Sequence, residues 1–360
     1  MIDLDELLRD AVDVSASDVH VKVGSPPVLR IDGRLVPTDR PVVTAADTER
    51  IAFAIMPKPR ADEFLVQCES DFAYSLAGLG RFRVNVFRQR GSVGLVLRRV
   101  QSEIATIDEL GLPDVVRTLA AEPRGLVLVT GPTGSGKTTT LASMIDHVNR
   151  TEARHIVTIE DPIEVLHRDH RSIVNQREVG TDTADFDTAL RRVLRQDPDV
   201  ILIGEMRDAA TVRTALAAAA TGHLVFSSLH TIDATETVNR IVDFFQPHEQ
   251  RQVRQGLAAV LRGVVSQRLV ERRGGGRVAA VEVLVATGRV FDRIVSADDT
   301  YQLADVIAEG AFYGMQTFDQ SLLSLYLAGT IDLREALAAS TQPHDLRLMI
   351  EQHTLTDAAS

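Results

Sequence analysis

Residues Leu126 to Val148 constrain the fold more than any other part of this chain. Leu126 to Val129 is a short apolar run of the kind that makes a buried strand, and Thr139 to Val148 has helical character. Between them stands Gly131-Pro132-Thr133-Gly134-Ser135-Gly136-Lys137-Thr138, which fits G-x-x-x-x-G-K-[ST] at every fixed position. Glycines let successive backbone N–H groups turn inward on phosphate oxygens, and the following helix adds its positive N-terminal end. In this reading Lys137 reaches the β- and γ-phosphates, the Thr138 hydroxyl ligates Mg²⁺, and Thr139 extends the binding set into the helix. A glycine-rich turn ending in a surface lysine is the plainer alternative, and the flanking strand and helix argue against it. The segment predicts a nucleoside triphosphate site.

The remaining composition narrows the class. At 360 residues and 44% hydrophobic content the chain is long enough for two or three domains. The net charge of -11 argues against a protein that coats nucleic acid through bulk charge. The single cysteine, Cys68, excludes an intrachain disulfide framework and a cysteine-based zinc knuckle. Met1 to Asp10 lacks the basic start and apolar core of a secretory signal, and no window approaches ~18 unbroken apolar residues. The expectation is a cytosolic protein without a transmembrane segment.

Hydrophobic periodicity divides the chain. Residues 2–10 read as an amphipathic helix with Leu4, Leu7 and Leu8 on one face. Val19 to Val23 and a hairpin over Val28 to Val36, turning at Asp32-Gly33, read as strands. Helices follow from Thr44, a plausible N-cap, to Ile55 and over Ala61 to Val66. Phe72 to Leu76, Arg81 to Phe87 and Val93 to Val100 alternate as strands. Residues 1–100 therefore predict an α+β domain, 101–112 a linker, and 113–360 an α/β domain. In that last domain the expected strands are Leu126–Thr130, His155–Ile159, Val200–Ile203 and Leu224–Ser227, with helices at 137–149, 186–196 and 208–220. Such alternation predicts a largely parallel sheet with helices on both faces and ligands at the strand carboxyl ends. From about 233 onward the pattern reads as nearly all helical, interrupted by Gly274-Gly275-Gly276 and one strand, Val278 to Val285.

Three further segments end or follow expected strands and would converge on the nucleotide. Ile156 to Glu164 carries the acids Glu160, Asp161 and Glu164 around Pro162. Val200-Ile201-Leu202-Ile203-Gly204-Glu205 resembles a Walker B strand with glycine in the usual Asp place, leaving Glu205 as the metal-side acid. Gly222 to Thr231 has a histidine at each end of an apolar strand, His223 and His230. Each has a plainer reading: acids at strand ends cap helices, and strand-flanking histidines are often structural. Metal ligation by the two histidines is disfavoured, because no third soft ligand accompanies them.

Taken in order, the loop, the acidic segment, the Gly-Glu strand and the histidine segment resemble the secretion-ATPase superfamily of type II and type IV systems. Within it the resemblance is to the PilT-like type IV pilus retraction ATPases. Other pieces resemble that family too: Ala16-Ser17-Asp18-Val19-His20 with Gly24-Ser25-Pro26-Pro27, Gly80-Arg81-Phe82-Arg83-Val84-Asn85, Val174-Asn175-Gln176-Arg177-Glu178, Gly204-Glu205-Met206-Arg207-Asp208, and Gly314-Met315-Gln316-Thr317-Phe318-Asp319. The resemblance implies a PAS-like N-terminal domain and a RecA-like P-loop ATPase domain with a helical C-terminal part. It also implies ATP and Mg²⁺ as ligands, and a homohexameric ring. The implied partner is an inner-membrane pilus platform protein, at whose cytoplasmic face the ring would dock, with a paralogous pilus ATPase as a further candidate. By the same resemblance Glu164 would polarise the attacking water and Glu205 would act on the Mg²⁺ side. His223 and His230 would sense the γ-phosphate, and Arg81, Arg83 and Arg98 are candidate phosphate contacts. A solvated basic strand face is the plainer reading of those arginines.

Extension ATPases of the superfamily usually carry a long extra N-terminal region and a four-cysteine zinc motif. Here the first domain begins close to residue 1 and one cysteine cannot supply the motif, which points to retraction. One box departs from the retraction pattern. Where an Ala-Ile-Arg-Asn-Leu-Ile-Arg-Glu-like sequence is expected, this chain has Gly288-Arg289-Val290-Phe291-Asp292-Arg293-Ile294-Val295. The expectation is thus either a divergent retraction motor or an accessory paralogue. A regulatory nucleotide-binding ring and a RecA-like nucleic-acid ATPase are the rival classes. Lys137, Glu164 and Glu205 disfavour the first, and the acidic balance without an aromatic-basic stripe disfavours the second.

Overall fold

The computed structural model describes residues 2–31 and 33–359, with side chains described as far as residue 353. It separates into two units: Met1–Glu103 with Glu164–Leu166, and Ile104–Ile163 with His167–Ser360.

In the first unit α1 (Leu4–Asp13) starts at Asp3, whose carboxylate accepts from the N–H groups of Asp5 and Glu6. Leu4, Leu7, Leu8 and Ala11 then fall on one buried face. The strands β1 (Asp18–Val21), β2 (Val28–Ile31) and β3 (Arg34–Pro37) follow. Asp32 of the expected Asp32-Gly33 turn lies outside the described residues. Thr44 and Asp47 form a capping box at the start of α2 (Ala45–Ile55), and α3 (Lys58–Gln67) comes next. The unit closes with β4 (Glu69–Leu76), β5 (Gly80–Gln89) and β6 (Ser92–Arg99). These strands form an antiparallel sheet in the order β3-β2-β1-β6-β5-β4. Phe82, Val84 and Val86 of β5 are buried in the core with Leu7, Leu8 and Phe64. The strand period of two therefore places Arg81, Arg83 and Asn85 on the opposite face.

The second unit is a doubly wound α/β layer. After α4 (Val115–Ala120) come β7 (Gly125–Thr130), α5 (Lys137–Thr151), β8 (His155–Glu160) and β9 (Ile173–Glu178). Then follow α6 (Phe186–Val193), β10 (Val200–Ile203), α7 (Ala209–Ala220), β11 (Leu224–Leu229), α8 (Ala234–Asp243) and α9 (Pro247–Val260). A hairpin of β12 (Leu261–Glu271) and β13 (Arg277–Val285) precedes the helices α10 (Gly288–Val295), α11 (Leu303–Ala308), α12 (Phe318–Leu327), α13 (Leu333–Ala339) and α14 (Pro343–Ala359). The sheet order is β13-β12-β7-β11-β10-β8-β9, parallel throughout except for the β12–β13 pair. β7, β10 and β11 are buried at every position, as expected for strands covered on both faces.

The helical reading from 233 onward needs correction. An eleven-residue strand, β12, occupies Leu261–Glu271 and pairs with β7, so the loop-bearing strand is internal to the sheet. Gly274-Gly275-Gly276 is the turn of its hairpin with β13 rather than a break between helices. The physical reason is legible in the burial. Val264 faces one core and Val265 the other, so the strand has no alternation, and α9 runs into Leu261 with no intervening turn residue. β9, a half-exposed edge strand, likewise lacks a clear pattern and was not expected.

Candidate active site

Because β7, β11, β10 and β8 are parallel neighbours, their carboxyl ends share one edge of the sheet, where open α/β sheets take ligands. Thr130 passes there into Gly131, Leu229 into His230, Ile203 into Gly204-Glu205, and Glu160 into Asp161.

The loop after β7 has the backbone its glycines permit. Gly131 has φ of +146°, and a Cβ on it would meet the Gln267 carbonyl oxygen at 2.4 Å and Ser135 Oγ at 2.5 Å. Gly136, at φ +91°, is the N-cap of α5 and supplies no side-chain cap. By contrast α6, α7 and α8 are capped by Asp185, Asp208 and Asp233. The first-turn N–H groups of α5 thus have no intrahelical carbonyl and no capping side chain, the arrangement that receives an anion. Thr138 and Thr139 are exposed on that first turn, and Ser135 is buried beneath the loop.

Lys137 folds over the loop, donating from Nζ to the carbonyls of Gly131 (2.8 Å) and Pro132 (3.1 Å). Its Nζ is also 3.4 Å from His230 Nδ1, and His230 Nε2 is 3.3 Å from Glu205 Oε1. An ammonium can only donate and a carboxylate can only accept, so these partners select the tautomer with hydrogen on Nε2. Glu205 next meets Arg207 at 3.1 Å, and Arg207 lies 3.5 Å from Asp161. Burial alone would raise the Glu205 carboxyl, but Arg207 and His230 outweigh it and hold the group below its ordinary range. The Glu205 carboxylate is ionised and half-buried at the strand ends.

Several expected residues stand elsewhere. His223 precedes β11 and His230 follows it, so about 23 Å separates them at roughly 3.3 Å per residue. His223 Nδ1 lies 2.9 Å from the Ala218 carbonyl and 3.2 Å from Thr221 Oγ1, closing the end of α7. The structure therefore brings His230 to the loop and not His223. Glu160 is buried and accepts from Thr158 Oγ1 (2.6 Å) and Gln176 Nε2 (3.1 Å). Glu164 belongs to the first unit: Val165 bridges Gln101, Leu166 N donates to the Gln101 carbonyl at 2.8 Å, and Glu164 Oε1 lies 3.7 Å from Arg83 Nη1. Two candidates thus pair with each other. Arg81 is half-buried on the same face of β5, and Arg98 pairs with the buried Asp18 at 2.8 Å.

The profile of the type II/IV secretion system protein family matches residues 1–309. The chain belongs to that family. It is 43% identical to the type IV pilus retractation ATPase PilT of Pseudomonas aeruginosa over 96% of this chain and all of that one. With the type IV pilus ATPase PilU of the same organism it shares 40% identity over 99% of this chain and 94% of the other. Among solved structures, that of the pilus retraction motor PilT with bound ADP superposes with a TM-score of 0.89 at 46% identity, covering 96% of this chain and 99% of that one. The architecture is accordingly that of a secretion ATPase with a RecA-like ATPase unit.

Sequence reasoning assigned no role to Arg207, Asp161 or Gln267. Arg207 and Asp161 stood within quoted segments, but nothing in one dimension shows that their side chains meet. Gln267 was hidden with its strand.

Proposed function

We propose that this chain is an ATP-hydrolysing motor that powers retraction of type IV pili. The observation that carries the reading is the Lys137–His230–Glu205 chain at the strand ends, which ties the phosphate-binding loop to an ionised acid. Its support in kind comes from relatives named as pilus retraction ATPases that match nearly end to end. Lys137 would leave the loop carbonyls for the β- and γ-phosphates, and His230 would report the change to Glu205. The exposed Thr138 hydroxyl and the ionised Glu205 carboxylate are hard oxygen donors that suit Mg²⁺. When bound, that ion would neutralise charge on the phosphoryl oxygens. In this reading Glu164 polarises the attacking water, and Arg81 and Arg83 contact phosphate. The working form is a homohexameric ring at the cytoplasmic face of the inner membrane, acting on a pilus platform protein. Among the described residues no helix is long and apolar enough to cross a membrane.

The test is a deletion strain complemented with wild type or with Glu205→Ala. Long pili that fail to retract, rescued by the wild type alone, support a hydrolysis-driven retraction motor, and loss of surface pili points to extension. A second reading, an accessory paralogue that assists a primary motor, draws on the divergent residues of α10. Normal retraction without this protein would favour it.

A further inference from the structure

β12 flanks the phosphate-binding loop on the side away from His230 and Glu205. Its register with β7 sets Ser266 opposite Thr130, the last residue before the loop, and the two hydroxyls meet at 2.9 Å in the core. The next residue, Gln267, is 1% exposed. Its backbone oxygen stands against Gly131 at the start of the loop, and its Nε2 lies 3.0 Å from where a Cβ of Gly136 would sit. From there Nε2 donates to the Ser135 carbonyl at 2.6 Å. One residue of β12 therefore touches both ends of the loop.

The consequence follows from peptide geometry. In a trans peptide the C=O and the N–H of one unit point in opposite directions. Pinning the Ser135 carbonyl toward β12 therefore aims the Gly136 N–H away from β12. We propose that Gln267 is a positioning residue for nucleotide binding, holding the Ser135–Gly136 peptide so that the loop presents its N–H groups to the phosphates. The proposal rests on the reading of this loop as the ATP site.

Packing alone does not account for a glutamine at this position. Its neighbours along the strand include Val264, Val265 and Leu269, and its own Oε1 is buried without a hydrogen-bond partner among the described residues. An unpaired buried acceptor carries a cost that an apolar residue of the same length would avoid. The amide orientation is also determined, since the flipped rotamer would set two oxygens against each other at Ser135. What the glutamine contributes is the donor.

Three variants test this: Gln267→Met keeps the length and removes the donor, Gln267→Glu places an acceptor against the Ser135 carbonyl, and Gln267→Asn draws the donor back by one methylene. Affinity for a fluorescent ATP analogue and the thermal midpoint without nucleotide are measured for each on the full chain, with Val265→Ala as a buried control in the same strand. Loss of a hydrogen bond of ordinary strength predicts about fivefold weaker binding in the Met and Asn variants. The Glu variant should lose more. Val265→Ala should lower the midpoint and leave the affinity unchanged. Binding within twofold of wild type in whichever of the three variants fold overturns the proposal. So does an equal loss of affinity in Val265→Ala at a matched drop in midpoint. Gln267→Asn, the smallest change, carries the test if the other two do not fold. Wild-type protein that binds no ATP analogue would instead overturn the nucleotide-site reading itself.

Discussion

The Nε2 of His230 lies 3.3 Å from Glu205 Oε1 while its Nδ1 faces the Lys137 ammonium at 3.4 Å. One ring thus spans the ends of β7, β10 and β11. If it transmits the arrival of phosphate from Lys137 to Glu205, its loss should impair the chemical step more than binding. His230→Ala should lower kcat by roughly tenfold or more while the affinity for ATP stays within about threefold. Equal losses in kcat and in binding would make the ring a structural strut for the loop.

Lys137 and Glu205 stand at the two ends of that contact and should separate binding from turnover. Lys137→Ala removes the cation over the loop and should weaken ATP binding by an order of magnitude or more. Glu205→Gln keeps the size of the side chain and a hydrogen-bond acceptor for His230 but removes the charge. It should bind ATP nearly as the wild type does and hydrolyse it at least a hundredfold more slowly. Binding assays on both variants beside steady-state hydrolysis decide the point. Normal turnover in Glu205→Gln would remove Glu205 from the site.

Arg83 and Glu164 form a pair whose side chains are 40% and 48% exposed, at 3.7 Å. A pair this open to solvent contributes well under about 1 kcal/mol to folding. Arg83→Ala and Glu164→Ala should therefore melt within a degree or two of wild type. If the functional roles proposed for them hold, both should still lose most ATP turnover, with nucleotide affinity retained in Glu164→Ala. Unchanged hydrolysis with an unchanged melting curve would leave the pair a solvated surface contact.

The loop was legible because its chemistry is local: Gly131 to Thr138 fixes a backbone shape and a charge within eight consecutive residues. The strands β7, β10 and β11 were legible as short apolar runs bounded by polar residues. Other features depend on contacts between distant segments. β12 has apolar residues on both faces and follows α9 without a turn, so no periodicity marks it, and Gln267 was lost with it. His223 and His230 flank one strand symmetrically in sequence, yet a strand has two ends, and the parallel order of the sheet brings only the second to the loop. Glu164 sits a few residues past β8 in sequence but belongs to the first unit, where it meets Arg83 while Val165 and Leu166 meet Gln101.

Glu282 offers a test of the fold that is independent of nucleotide. It is buried on β13, with 8% of its surface exposed, and its Oε1 accepts from the Ala234 N–H at the start of α8, 2.9 Å away. Burial is the main reason that its carboxyl is pushed up to about 7 from an ordinary 4.5, with Asp233 and Asp319 adding to the rise and the Ala234 N–H and Arg268 opposing it. The folded state therefore holds a proton that the unfolded chain releases. Below an unfolded value near 4.5 both states are protonated and nothing is lost. As pH rises toward 7 the unfolded state gains on the folded one by about 1.4 kcal/mol for each pH unit, and above that the penalty is complete. Glu282→Gln keeps a carbonyl for Ala234 and cannot ionise, so it lacks this slope. Thermal melts at pH 5, 6.5 and 8 should show the variant gaining several degrees on wild type as the pH rises, whatever constant offset the amide introduces. Parallel melting curves across that range would mean that Glu282 is already ionised in the folded protein, with its charge met by Arg268.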